Sequence, residues 1–298
     1  MNSLIHRRAF LRTSSEIGLA LSGIGGLSLL AAEPNVDAPN AKRLGWRMGC
    51  ETWTFHLFTL FEAVDKTASL GLRYIETGGM NLSKAHPDVI FDENASAEVR
   101  RATKEKLGGV GIQLIGYWPN AFFKEVGQNR RIFDFAKDMD IETLVGEPEE
   151  DAFNALERLC DEYNINVAIH NHPKPAPYWN PDTSLKVCRG RGKRIGVCAD
   201  TGHWLRSGLN PVECLRKLEG RILSLHFKDL DRAGPDAHDV PWGTGACNVK
   251  GMLAELHRQG VRSPFFIEYE DKWENNLPEI VRSLAYFDNV AGELAGRK

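Results

Sequence analysis

The chain of 298 residues holds six cysteines, too few for a disulfide scaffold, and no two of them form a Cys-x-x-Cys pair. Cys50, Cys160, Cys188, Cys198, Cys214 and Cys247 lie mostly in apolar surroundings, such as Gly196-Val197-Cys198-Ala199, where a buried free thiol is expected. No apolar run reaches the roughly 18 residues that cross a bilayer. Positive charge is also short. Lys and Arg number 37 against 40 Asp and Glu, a formal charge of −3, which gives no electrostatic reason for a nucleic-acid or acidic-membrane partner. A glycine-rich dinucleotide turn is missing after the first strand candidate, which argues against a doubly wound open sheet. What is present, 42% apolar and 26% charged residues, is the composition of a globular chain with one sizeable core.

The first 32 residues read as an address. Arg7-Arg8 precede a weakly apolar stretch, Ile17 to Ala32, that carries no charge and ends in Ala31-Ala32. This is the pattern of a cleavable signal peptide, and the paired arginines suggest the twin-arginine type, with export to the periplasm. Gly18, Gly23, Gly25 and Gly26 argue against a stable amphipathic helix. Without residues 1–32 the charge is −5. Residues 33–43, with Pro34 and Pro39, read as a linker, and no stable membrane association is expected after cleavage.

From Leu44 onward, short apolar runs alternate with amphipathic stretches. Strands are expected at 45–50, 73–76, 112–117, 143–146, 166–169, 195–199, 222–226 and 265–268. Between them, Leu60, Ala63 and Val64 share a helical face, as do Ile280, Leu284, Phe287 and Val290. Leu70-Gly71-Leu72 and Gln259-Gly260-Val261 carry the helix stop that precedes a buried strand. Eight such units over residues 44–298 predict one α/β domain, a single (β/α)8 TIM barrel.

In such barrels the chemistry sits at the C-terminal ends of the strands. Those positions hold Glu51, Glu76, Tyr117, Trp118, Glu147, His170-Asn171-His172, Asp200 with His203, His226 with Lys228, and Glu268 with Glu270. Converging carboxylates repel unless a cation neutralises them, so a divalent metal is expected. Oxygen ligands mixed with imidazole suit Mn²⁺, Co²⁺, Zn²⁺ or Mg²⁺ without choosing among them. Trp53, Trp118, Trp204 and Trp242 offer faces for stacking on sugar rings, though packing alone would account for each. Trp242-Gly243-Thr244-Gly245 is a weak candidate for holding a phosphate on backbone amides. His56, His86, His238 and His257 read as structural.

Four motifs then occur in order: Asp200-Thr201-Gly202-His203-Trp204, His226-Phe227-Lys228-Asp229, Trp242-Gly243-Thr244-Gly245 and Ile267-Glu268-Tyr269-Glu270. Together they resemble the xylose-isomerase-like TIM-barrel superfamily, which includes ketose 3-epimerases, inosose dehydratases and the endonuclease IV group. The resemblance implies a metal held by Asp200, His226, Glu268 and a fourth ligand, with His203 and Arg232 touching substrate. The epimerases carry their fourth ligand, a glutamate, on strand five, where this chain has His170. Either His170 takes that place or Glu147 does and His170 becomes a base; Glu147 is preferred, since it otherwise lacks a role.

The expected chemistry is proton removal beside a sugar carbonyl, needing a base and a cation on the forming enediolate. Glu268, His170 and His172 are the candidate bases. Lys228 and His203 are placed to polarise oxygens or return the proton, and Trp118 and Trp242 to contact the sugar. An isomerase or epimerase is the leading expectation, with a lyase or dehydratase on a keto-sugar, inositol derivative or 3-keto-glycoside next. A non-catalytic carbohydrate-binding barrel is the alternative from another class. The acidic body argues against an endonuclease. The expected partner is a small carbohydrate, and homo-oligomerisation is left open.

Overall fold

The computed structural model describes residues 38–296. The expected signal segment (1–32) and residues 33–37 of the expected linker lie outside the described residues. The last residues of that linker are helical instead: α1 (Pro39–Arg43) has proline in its first turn, where a missing N–H costs nothing. The Asp288 carboxylate caps it from across the domain, accepting from the backbone N–H of Asn40 (2.8 Å) and Ala41 (3.0 Å).

The chain continues through β1 (Met48–Glu51), α2 (Leu60–Ser69), β2 (Tyr74–Thr77), β3 (Met80–Ser83), β4 (His86–Phe91), α3 (Ala97–Val110) and β5 (Gln113–Tyr117). Next come α4 (Val126–Asp138), β6 (Thr143–Gly146), α5 (Phe153–Tyr163), β7 (Asn166–His170), α6 (Pro181–Cys188) and β8 (Ile195–Asp200). The last elements are α7 (Thr201–Arg206), α8 (Pro211–Lys217), β9 (Ile222–Phe227), α9 (Val249–Arg258), β10 (Phe265–Ile267) and α10 (Leu277–Ala295).

Eight parallel strands close in the order β1-β10-β9-β8-β7-β6-β5-β2, and β2 returns to β1 through the pairing of Gly49 with Tyr74. This is the expected TIM barrel, and its strands coincide with the eight apolar runs. The β3–β4 hairpin is an addition that the periodicity did not reveal. Its strands are short, mostly exposed in β4, and interrupted by Pro87, so no clean two-residue alternation marks them.

Local rules set the helix ends. Thr59 caps α2 in a reciprocal box with Glu62, and the face of Leu60, Ala63 and Val64 is buried. Gly71 and Gly260 adopt left-handed backbone (φ +76° and +67°), as the stop signals required. On the outer side of β9 and β10, Trp46, Phe227, Trp242, Phe265 and Phe287 form an aromatic core sealed by α10. All six cysteines are buried free thiols. The seam between β1 and β10 is stitched by Thr54, whose hydroxyl donates to the Ile267 carbonyl (3.3 Å) and accepts from the Tyr269 N–H (3.1 Å). Asn276 adds a bond to the Thr54 carbonyl (2.8 Å).

Candidate active site and metal centre

At the C-terminal ends of the strands, one atom each of His170, Asp200, His226 and Glu268 lies within 4.8 Å of the others, and all four side chains are buried. Each is fixed by its neighbours. Asp200 ends β8 and caps α7: Oδ1 accepts from the His203 N–H (2.7 Å), which leaves Oδ2 aimed at the centre. Asn171 holds the Asp200 backbone on both sides, accepting from its N–H (2.9 Å) and donating to its carbonyl (3.0 Å). His226 bonds Glu76 Oε1 through Nε2 (2.8 Å), so Nδ1 faces Glu268 Oε2 at 3.0 Å. Glu76 in turn needs Gly116 beside it, because a Cβ there would meet its Oε2 at 2.4 Å.

His170 Nδ1 and Nε2, Asp200 Oδ2, His226 Nδ1 and Glu268 Oε2 have no aligned hydrogen-bond partner. The two carboxylate oxygens have only ion-pair contacts, with Lys228 and neighbouring imidazoles, and both His170 nitrogens lack a hydrogen bond. A mixed nitrogen and carboxylate set of this kind is what a divalent transition cation or Mg²⁺ takes up. The residues therefore fit the metal that the fold implies. Burial pushes the His170 pKa down to about 4 against the pull of Asp200, so the ring is neutral, the form that ligates. For Asp200 and Glu268, burial opposes the charge, but His203 and Lys228 in the first case, and Lys228 and His226 in the second, keep both carboxyls below their ordinary range. Burial likewise opposes charge on His226, yet Cys198, Glu76 and Glu268 outweigh it and raise its pKa.

Among the expected site residues, His170 joins Asp200, His226 and Glu268 in one set, and Glu147 falls with His170 and His172 in a second that could also hold a cation. The Glu147 carboxylate turns to His172, accepting from its N–H (3.0 Å) and lying 3.2 Å from its Nδ1. Lys228 is wholly buried and does not line the cavity; its ammonium lies 2.9 Å from Asp200 Oδ2, 2.8 Å from Glu268 Oε2 and 3.3 Å from Glu270 Oε1. In this position it offsets the charge of the three acids. Arg232 is an exposed loop residue bound to Asp231 (2.9 Å) and to the Asp236 carbonyl (2.6 Å), away from the cavity. Trp242 is a core residue packed on Phe227 and Phe287. The loop after it has no amides to spare for phosphate, because those of Gly243, Gly245 and Cys247 all bond Asp229 at 2.8–3.0 Å.

The cavity over this four-residue cluster measures about 760 Å³ and is lined by His170, His172, His203, His226, Glu268 and Trp118 among others. Trp118 meets His170 and His172 edge-on, with ring centroids 5.1 and 5.7 Å away. Glu51 lines the opposite wall and caps the turn after β1 by accepting from the Trp53 N–H (2.6 Å). Burial and the nearby Glu268 raise its pKa well above the ordinary value. Two contributors escaped the sequence reading. Arg206 bonds Asp239 (2.9 Å) and Glu270 and reaches His203 Nδ1 (3.1 Å); both it and Asp239 lie beyond any strand end. His56, read as structural, lies on the cavity rim.

Known proteins bear on this geometry. A 28% identical stretch of 80 residues is shared with an inosose dehydratase of Clostridium beijerinckii, covering 27% of each chain, so this match spans about a quarter of that relative's length. A solved structure of an uncharacterized protein from Parabacteroides distasonis is 33% identical, with a TM-score of 0.67 over 82% of this chain and 99% of that one. A D-tagatose 3-epimerase-like protein shares the fold at 17% identity, with a TM-score of 0.62 over 82% of this chain and 98% of that one. The model of the xylose isomerase-like TIM barrel matches residues 64–290. With most of the barrel matched, its eight strands closed in the expected order and its polar residues gathered at their C-terminal ends, the chain belongs to the xylose isomerase-like TIM-barrel family.

Proposed function

We propose that this chain is a divalent-metal-dependent sugar isomerase or epimerase, moving a proton on the carbon beside a carbonyl. The observation that carries the reading is the buried set of His170, Asp200, His226 and Glu268, opening on a cavity of about 760 Å³ that holds further acid–base groups outside the set. A bound cation supplies positive charge where the substrate carbonyl gains negative charge. His172, steadied by Glu147, is the base on one wall. Glu51 stands on the other: β1 and β7 are four places apart in a closed order of eight, hence diametrically opposed. Two proton-handling groups on facing walls are what epimerisation needs, one to take the proton and one to deliver it to the other face of the planar intermediate.

The test is deuterium uptake from D₂O, followed by NMR, with Mn²⁺-loaded protein and D-fructose, D-tagatose, D-psicose and 3-keto-glycosides. Exchange at the carbon beside the carbonyl is expected, with His172→Ala and Glu51→Gln each slowing it about 10²–10⁴-fold. No exchange from any of these sugars would sink the reading. A dehydratase is the second reading, favoured by His170 in place of the epimerase glutamate and by the stretch shared with inosose dehydratase. Loss of water from the same substrates would select it.

A further inference from the structure

The cavity does not end at the polar centre. His170, His203, His226 and Glu268 at its polar end are buried, whereas its mouth is formed by Trp53 and Ile90, which are 53% and 47% exposed, together with His56, Phe58, Met80 and Asn81. Asn81 apart, this outer end is apolar or aromatic. Trp53 and His56 are stacked, with centroids 4.7 Å apart and planes 22° from parallel, and His56 is held by the Trp53 carbonyl at 3.0 Å. Trp273 packs edge-on against the other side of His56 at 4.2 Å. The platform is thus built before any ligand arrives. Met80, Asn81 and Ile90 come from the β3–β4 hairpin, an addition to the barrel that walls the mouth.

Trp53, exposed and lining the same cavity as the exposed Ile90, gives the pocket an apolar rim of the kind that marks a binding surface. A cavity of this volume suits a ligand well beyond one sugar ring. A second sugar would ask the outer end for several hydrogen-bonding groups, and its side chains offer few beyond Asn81 and the imidazole of His56. We infer that the mouth is a subsite for a flat apolar aglycone, so that the substrate is a keto-glycoside whose carbonyl-bearing ring enters the His170, Asp200, His226 and Glu268 cluster while its aromatic substituent stacks on Trp53. This rests on the sugar-processing reading above and adds the substrate class, with Trp53 and His56 as its specificity-determining residues.

The test measures binding, not turnover. Calorimetry on Mn²⁺-loaded protein compares the 3-keto forms of phenyl β-D-glucopyranoside, methyl β-D-glucopyranoside and cellobiose. The phenyl glycoside is expected to bind about tenfold more tightly than the methyl one, the gain of a single aromatic stacking contact. Trp53→Ala should erase that difference and leave methyl glycoside binding alone, while Trp53→Phe should restore part of it. Equal affinities, a difference that survives Trp53→Ala, tighter binding of the cellobiose form, or no measurable binding of the phenyl glycoside would each overturn the inference. Proton exchange is scored separately: aromatic discrimination without exchange keeps the subsite and rejects the isomerase, and exchange without discrimination does the reverse.

Discussion

Glu76 and His226, 150 residues apart in sequence, meet inside the barrel with Oε1 2.8 Å from Nε2, and this contact decides which imidazole nitrogen faces Glu268 and the proposed metal position. Such a carboxylate fixes the tautomer and the ring plane of a ligating histidine. Glu76→Ala should therefore weaken Mn²⁺ binding about 10–100-fold while the other ligands stay in place, as read by calorimetric titration. An unchanged affinity would mean that the ring is held by packing alone.

The metal set itself is separable by substitution. Asp200→Ala and His170→Ala should each remove tight cation binding and abolish the rise in melting temperature that Mn²⁺ gives the wild type, since a ligand of the folded state stabilises only that state. Glu147→Ala should keep both, because its carboxylate serves His172. Metal content after dialysis, with melting curves with and without Mn²⁺, checks all three. Loss of metal from Glu147→Ala would restore it to the ligand set.

Lys228 is the buried counter-charge to Asp200, Glu268 and Glu270. Lys228→Met leaves these acids uncompensated and should cost about 3–5 kcal/mol in chelator-treated protein, the usual consequence of breaking a buried ion pair from one side. Added Mn²⁺ should recover part of the loss by supplying charge to the same carboxylates. Denaturant unfolding with and without the metal measures both effects, and a loss insensitive to Mn²⁺ would assign Lys228 a packing role only.

Asp229 organises the loop from Trp242 to Cys247 through three backbone N–H groups. Asp229→Ala should destabilise the protein by about 1–3 kcal/mol, the cost of leaving a buried donor unsatisfied. Chemical denaturation gives the size. A neutral result would show that water reaches those amides.

The barrel was legible because each strand is a dense apolar run and each helix carries a 3.6-residue stripe. The motifs were legible as letters but not as reasons. In Asp200-Thr201-Gly202-His203, the glycine is there because a Cβ would lie 2.9 Å from the Lys228 stem, and Thr201 pins β8 to β9 by exchanging two bonds with the Lys228 backbone (2.8 and 3.0 Å). Such reasons cross from strand to strand and have no one-dimensional trace. The sequence could not separate Glu147 from His170 for the same cause: both lie at the C-terminal ends of strands, and only in three dimensions does His170 fall beside Asp200 and Glu147 beside His172. Arg206, in α7, and Asp239, in the loop after β9, lie away from strand ends, so nothing in their spacing marks them.

The Thr54 seam has a consequence for how the chain acquires its shape. The last pairing of the barrel joins β1 to β10, segments more than 200 residues apart, and Thr54 can make its bonds to Ile267 and Tyr269 only after β10 has arrived. Until then, β1 and β9 expose raw edges, so closure is a late, high-contact-order step and the growing chain is open to aggregation. The rim contact between His56 and Trp273 spans the same gap, which ties completion of the binding surface to completion of the fold.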